Sequence, residues 1–134
     1  MTQNYFTTPN EIFSLGLSPG EFAVYSFLCR CENRRTHECW PSYSTISAAT
    51  KMSINTVRKH VYALADKGLI RTEDTTVVTR NGLRRNGNLR YTIRPIQLAL
   101  DQFYEQQLAR MDMVADRHRV ATTLALRNNS AHST

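Results

Sequence analysis

From Lys51 to Ile70 the chain reads KMSINTVRKHVYALADKGLI, with apolar residues at helical spacing. On a wheel with Val57 at the origin, Val61 falls at about 40° and Leu64 at about −20°. These three form one buried stripe. Asn55, Lys59 and Tyr62 fall at about 160°, about 200° and about 140°, directly opposite, with Arg58 at the edge near ~100°. Ser53 stands where a helix takes its N-cap. Gly68 follows Lys67, the expected last residue, and suits the left-handed position that closes a helix.

Upstream, LSPGEF (Leu17 to Phe22) is a helix start. Ser18 is the N-cap, Pro19 suits the first helical position, and Glu21 completes a capping box. Leu17 and Phe22 stand at the positions of a hydrophobic staple. The pattern carries this helix to about Glu32, with Phe22, Tyr25, Leu28 and Cys29 on its buried side. PNEIFSLG before it predicts a short helical turn, with Ile12 and Phe13 packing inward. CWP (Cys39 to Pro41) is enough for a very short strand, with Trp40 as a core anchor. Ser42 caps a helix over YSTISAAT, where Ile46 and Ala49 share a face and small residues permit a close helix crossing.

Downstream the period changes. β-branched residues rise after Gly68, and LRYTIR alternates, with Leu89, Tyr91 and Ile93 on one face. Asn81-Gly82 and Asn86-Gly87 are turn signals. The expectation is a β-hairpin whose first strand runs from Ile70 to Glu73 or on to Thr79, with Arg84 and Arg85 at its tip. Pro95 opens a long final helix in which Leu100, Phe103, Tyr104, Leu108, Met111 and Ala115 keep helical spacing. That periodicity fades after about His118. The expected organisation is a domain over 1–95, a helix over 96–127 that packs back or dimerises, and a disordered tail over 128–134.

Charge sharpens this picture. The 134 residues carry 17 Lys and Arg against 11 acids. Ten of those basic residues and only Asp66, Glu73 and Asp74 among the acids lie between Lys51 and Arg94, a local net of +7 that leaves −1 for the rest. A positive field so focused attracts polyanions. On the exposed face of the Ser53 helix no acid stands four residues from Arg58 or Lys59, so it is not laced by surface salt bridges. The hairpin adds Arg80, Arg84, Arg85, Arg90 and Arg94 without one acid among them. Arginine binds phosphate through its fork and is drawn into narrow minor grooves.

Several other chemistries find little support. No apolar run approaches the roughly 18 residues of a membrane span, and no secretory signal is visible at the N-terminus. Three cysteines are read as reduced thiols of a cytoplasmic protein. Cys29, Cys31, His37 and Cys39 are zinc-compatible types, but residues two apart on a helix diverge by about 200°; no metal site is expected. His60, beside the core stripe, reads as a satisfied, partly buried histidine. No Gly-rich phosphate loop, zinc-protease motif or nucleophile elbow occurs, so no enzyme is expected.

A helix, a three-residue turn and a capped helix make the helix-turn-helix unit. CWPSYSTISAATKMSINTVRKHVYALADKGLIRT resembles the winged helix-turn-helix domains of bacterial transcription regulators. It looks closest to those in replication and regulatory proteins of Gram-positive plasmids, phages and conjugative elements. CWPSY, Ile46, Ser53, Thr56-Val57, Val61, Leu64 and KGLI carry the likeness, which spans Leu17 to Arg94. The resemblance implies a mainly α fold with a β-hairpin wing, followed here by a C-terminal helix. It makes the Ser53 helix the recognition helix. Many relatives have glycine where this chain has Lys51. The chain after Arg94 is short for an effector domain or a second folded initiator domain, which lowers the expectation of either.

The resulting expectation is sequence-specific binding of double-stranded DNA, without cofactor, in transcription control or replication-origin binding in a mobile element. Asn55, Thr56, Arg58, Lys59 and Tyr62 would meet the major groove. Ser53 and Lys51 would lie by the phosphates, and Arg80, Arg84, Arg85 and Arg90 would hold flanking backbone. The alternatives are a protein-interaction module on the same scaffold, with the C-terminal helix as its working surface, and an RNA-binding protein. The first does not need the focused charge. The second would show stacking aromatics on an open surface.

Overall fold

The structure, a computed structural model, describes residues 5–132. It divides into two compact units, one up to Leu100 and one from Asp101 onward.

The first unit opens with a 3-10 turn at Asn10–Ser14 and continues into α1, Pro19–Cys31. The Ser18 hydroxyl accepts from the Glu21 amide at 3.2 Å, as a capping serine should. The Glu21 carboxylate meets Lys67 Nζ at 2.5 Å, a tie between helix ends 46 residues apart in sequence. After α1 come β1 (Glu38–Cys39), α2 (Tyr43–Thr50) and α3 (Ile54–Asp66). The three helices pack on one another around Val24, Tyr25, Leu28, Ile46, Val57, Val61 and Leu64, all fully buried. Gly20 leaves room on α1 for a side chain of α3: a methyl group there would collide with the His60 imidazole. His60 is half-buried, as its wheel position implies.

The C-terminal half of this unit is β2 (Ile70–Glu73), β3 (Thr76–Val78), β4 (Arg84–Asn86) and β5 (Arg90–Ile93). β5 is central in an antiparallel sheet of order β1-β5-β2, pairing Cys39 with Tyr91 and Ile70 with Ile93. β3 and β4 form a separate two-stranded ribbon further out on the same hairpin. Mainly α architecture with a hairpin wing is therefore what the chain adopts.

Several expected placements change. Trp40 is 48% exposed rather than a core anchor. The strand is Glu38–Cys39, so Cys39 takes the inward position against Tyr91 and the alternation turns the next residue outward. Phe13 is 82% exposed beside the buried Ile12, and stacks on Phe22, half-buried, at 5.5 Å between centroids. Of the two α2 residues expected to share a face, Ile46 is buried and Ala49 exposed. Asn86-Gly87 does not turn the chain: Gly87 donates to the Thr75 carbonyl at 2.8 Å and extends the strand pairing. Glycine is needed there because a side chain would strike Thr75 Oγ1 and Val77 Cγ2.

The last element is α4, Ile96–His132. In the first unit it buries Ala99 and Leu100. In the second unit Tyr104, Leu108, Met111 and Val114 are exposed. The backbone stays helical past Arg127, where a disordered tail was expected, through His132; Ser133 and Thr134 lie outside the described residues.

Candidate nucleic-acid interface

The turn between α2 and α3 is Lys51, Met52 and Ser53. Lys51 is left-handed, with φ 60° and ψ 29°. A non-glycine residue pays roughly 1–2 kcal/mol for this conformation, partly offset by two bonds that close the turn. The Lys51 amide donates to the Ser47 carbonyl at 2.9 Å, and the Ser47 hydroxyl donates to the Met52 carbonyl at 2.5 Å. The Lys51 side chain is exposed at this corner.

Ser53 caps α3: its hydroxyl accepts from the Thr56 amide at 3.2 Å and donates to Thr56 Oγ1 at 2.8 Å. Both hydroxyls are thus engaged in the cap, and Thr56 is half-buried. The cap leaves helix-terminal amides at the N-terminal end, where anions are favoured. Along the helix the buried stripe is Val57, Val61 and Leu64, and Asn55, Arg58, Lys59 and Tyr62 are all exposed, Tyr62 at 62%. Four of the expected groove-facing side chains therefore share one open surface.

Sequence reasoning missed Tyr43. It lies at the start of α2, and the Arg58 guanidinium sits 5.5 Å from its ring centroid. Burial pushes the Tyr43 hydroxyl pKa up, Tyr62 adds to the rise, and Arg58 opposes it. No local pattern signals the pair, because it joins two helices.

The wing arginines separate into groups. Arg80 lies in the tip turn, where Gly82 has φ 75°. Arg84 and Arg85 lie in β4, opposite Val78 and Val77, and not at the tip as expected, since only one of the two Asn-Gly pairs forms a turn. All three are exposed. Arg90 faces Glu73 across β2 and β5 and forms an ion pair with it, with Arg71 at 4.0 Å from the same carboxylate. Its charge is therefore compensated, unlike that expected for a phosphate-holding residue.

The thiols lie apart from this surface. Cys29 and Cys39 are buried and Cys31 exposed. His37 Nδ1 pairs with Glu32 at 3.2 Å, and Cys39 Sγ lies 3.8 Å from the Leu28 carbonyl oxygen. Burial pushes the thiols of Cys29 and Cys39 up to about 12. Among the described residues no group of three or more His, Cys, Asp or Glu side chains is placed to hold a metal ion. Nor is any described helix long and apolar enough to cross a membrane.

The model of a helix-turn-helix domain family matches residues 15–70, the span of α1, α2, α3 and their connections. No curated protein sequence is significantly similar to this chain. A possible transcriptional regulator from Methanosarcina mazei Go1 shares the fold, with a TM-score of 0.54 at 13% identity over 87% of this chain and 97% of that one. Weaker likenesses include a MarR-family transcriptional regulator from Silicibacter pomeroyi, with a TM-score of 0.43 at 18% identity over 92% of this chain and 77% of that one. Another is Lactococcus lactis ZitR, solved in complex with DNA, with a TM-score of 0.42 at 11% identity over 97% of this chain and 85% of that one.

Proposed function

Starting from residues 15–70 as a helix-turn-helix domain, we propose that the protein binds double-stranded DNA sequence-specifically as a cytoplasmic transcription regulator. The observation that carries this reading is α3. It is capped, braced from below by its buried stripe, and presents Asn55, Arg58, Lys59 and Tyr62 together on the opposite face. In a helix-turn-helix the second helix lies in the major groove, and side chains near its N-terminus reach base edges. By side-chain chemistry Asn55 suits adenine, and Arg58 and Lys59 suit guanine. Thr56, tied into the cap, acts more through position than through a free hydroxyl. Ser53, Lys51, Arg80, Arg84 and Arg85 serve the phosphates, which position without specifying. Arg90 contributes less, because Glu73 holds it.

Replication-origin binding in a mobile element uses the same chemistry; the sequence resemblance supports that context. The exposed apolar residues of α4 support a homodimer, which would present two recognition helices to half-sites about one turn of DNA apart. No cofactor is required.

The test is replacement of Asn55 or Lys59 with alanine. Each change costs about 1–3 kcal/mol of binding to the preferred site if the residue makes a good base contact, and relaxes preference at one position. A folded variant with unchanged preference across a panel of altered sites removes that residue from base reading.

A further inference from the structure

We propose that Leu83, at the tip of the wing, acts as a wedge: it enters the minor groove between two base pairs while Arg84 and Arg85 grip the two strands. This inference rests on the reading of the chain as a double-stranded DNA-binding protein.

The β3–β4 ribbon and its connecting turn expose three large apolar side chains, Val77 at 52%, Val78 at 64% and Leu83 at 58%. A two-stranded hairpin standing alone is marginal in water, and open apolar strands invite unwanted pairing. These side chains therefore call for a partner. Charge selects which one. From Thr75 to Leu89 the chain has Arg80, Arg84 and Arg85 and no acid, so the complementary surface is dense in negative charge.

The register gives the geometry. Val77 pairs with Arg85 and Val78 with Arg84, so the adjacent Arg84 and Arg85 leave opposite faces of the ribbon. A groove in DNA has phosphates along both walls, one from each strand, and two arginines so disposed reach one wall each. Leu83 is fixed between them and the turn. Its carbonyl accepts from the Thr79 amide at 2.9 Å and from the Thr79 hydroxyl at 3.2 Å. Strands in a ribbon are about 4.8 Å apart before side chains are counted. An undeformed minor groove is about 6 Å wide. The tip enters only if the groove opens. An apolar side chain between base steps is the device that opens a minor groove, kinking the duplex by about 20–90°. Pyrimidine–purine steps unstack most readily, so the wing would impose a TA or CA/TG preference without a base hydrogen bond.

The experiment uses the full chain and duplexes selected by it from a random pool. Bend is measured by circular permutation, and unstacking by 2-aminopurine fluorescence at the flanking steps. The expected result is a bend of about 20° or more, a fluorescence rise at one step, and a TA or CA/TG step at fixed distance from the main motif. Leu83→Ala loses the bend and the rise, while Leu83→Met retains both. Replacing Arg84 and Arg85 with alanine flattens the slope of log K against log salt by up to about two units and keeps the step preference. A straight duplex, or a Leu83→Ala complex bent like the parent's, overturns the wedge and leaves the DNA-binding reading intact. A chain that selects no duplex sequence overturns both.

Discussion

The Arg58 guanidinium lies 5.5 Å from the centroid of the Tyr43 ring. This contact joins the open face of α3 to the first turn of α2, and it orients a side chain that would otherwise sample many rotamers. A cation over an aromatic ring is worth about 0.5–1 kcal/mol at an exposed site. Tyr43→Ala should therefore destabilise the domain by about that much and weaken DNA binding by freeing Arg58. Tyr43→Phe should keep most of both. Chemical denaturation and a binding titration check this. Equal DNA affinity in the alanine variant would show that the stacking does not prepare Arg58.

Much of this surface was legible because its causes are local. Ser18, Ser42 and Ser53 each cap the helix the sequence assigned to them, accepting from the amide three residues on. The stripe of Val57, Val61 and Leu64 followed from the helical period alone. Gly68 ends α3 with φ 79°. What escaped depends on partners distant in sequence. Tyr43 beneath Arg58 needs the packing of α2 on α3, and Lys67 on Glu21 needs that of α1 on α3. His37 adopts φ 60° without being glycine, and its carbonyl accepts from the Ile93 amide at 2.9 Å. The two Asn-Gly pairs look alike in sequence, yet only Asn81-Gly82 turns the chain. The other is kept in strand by Thr75 across the ribbon.

The exposed residues of α4 lead to a test of assembly. Ala99 and Leu100 are buried in the first unit, so a truncation should fall after Leu100. The shortened chain should stay folded and sediment as a monomer, and should bind a two-half-site duplex more weakly than the intact chain. An intact chain that sediments as a monomer at tens of micromolar, a modest affinity of roughly 6–7 kcal/mol, would contradict a dimer.

Alkaline pH should weaken the fold. Burial pushes the Cys29 and Cys39 thiols from an ordinary 9.0 up to about 12, and raises the hydroxyls of Tyr25 and Tyr91 as well. Above pH 9 the unfolded chain loses thiol protons that the folded chain keeps. Their contribution to stability is thus fully present below about pH 9 and is lost as pH rises from there toward about 12. Unfolding midpoints measured across that range should fall, and Cys31, the exposed thiol, should react first with a thiol reagent in the native protein. A midpoint that rises between pH 9 and 11 would contradict this assignment.

Selection of bound sites from random duplex DNA tests the central claim most directly. The parent chain should enrich one motif, and a chain carrying Asn55→Ala and Lys59→Ala should enrich it poorly or enrich a degenerate form. If α4 pairs two copies, the motif should repeat with two-fold symmetry at about one helical turn. Recovery of unenriched sequence by the folded parent chain would contradict sequence-specific binding of double-stranded DNA through α3.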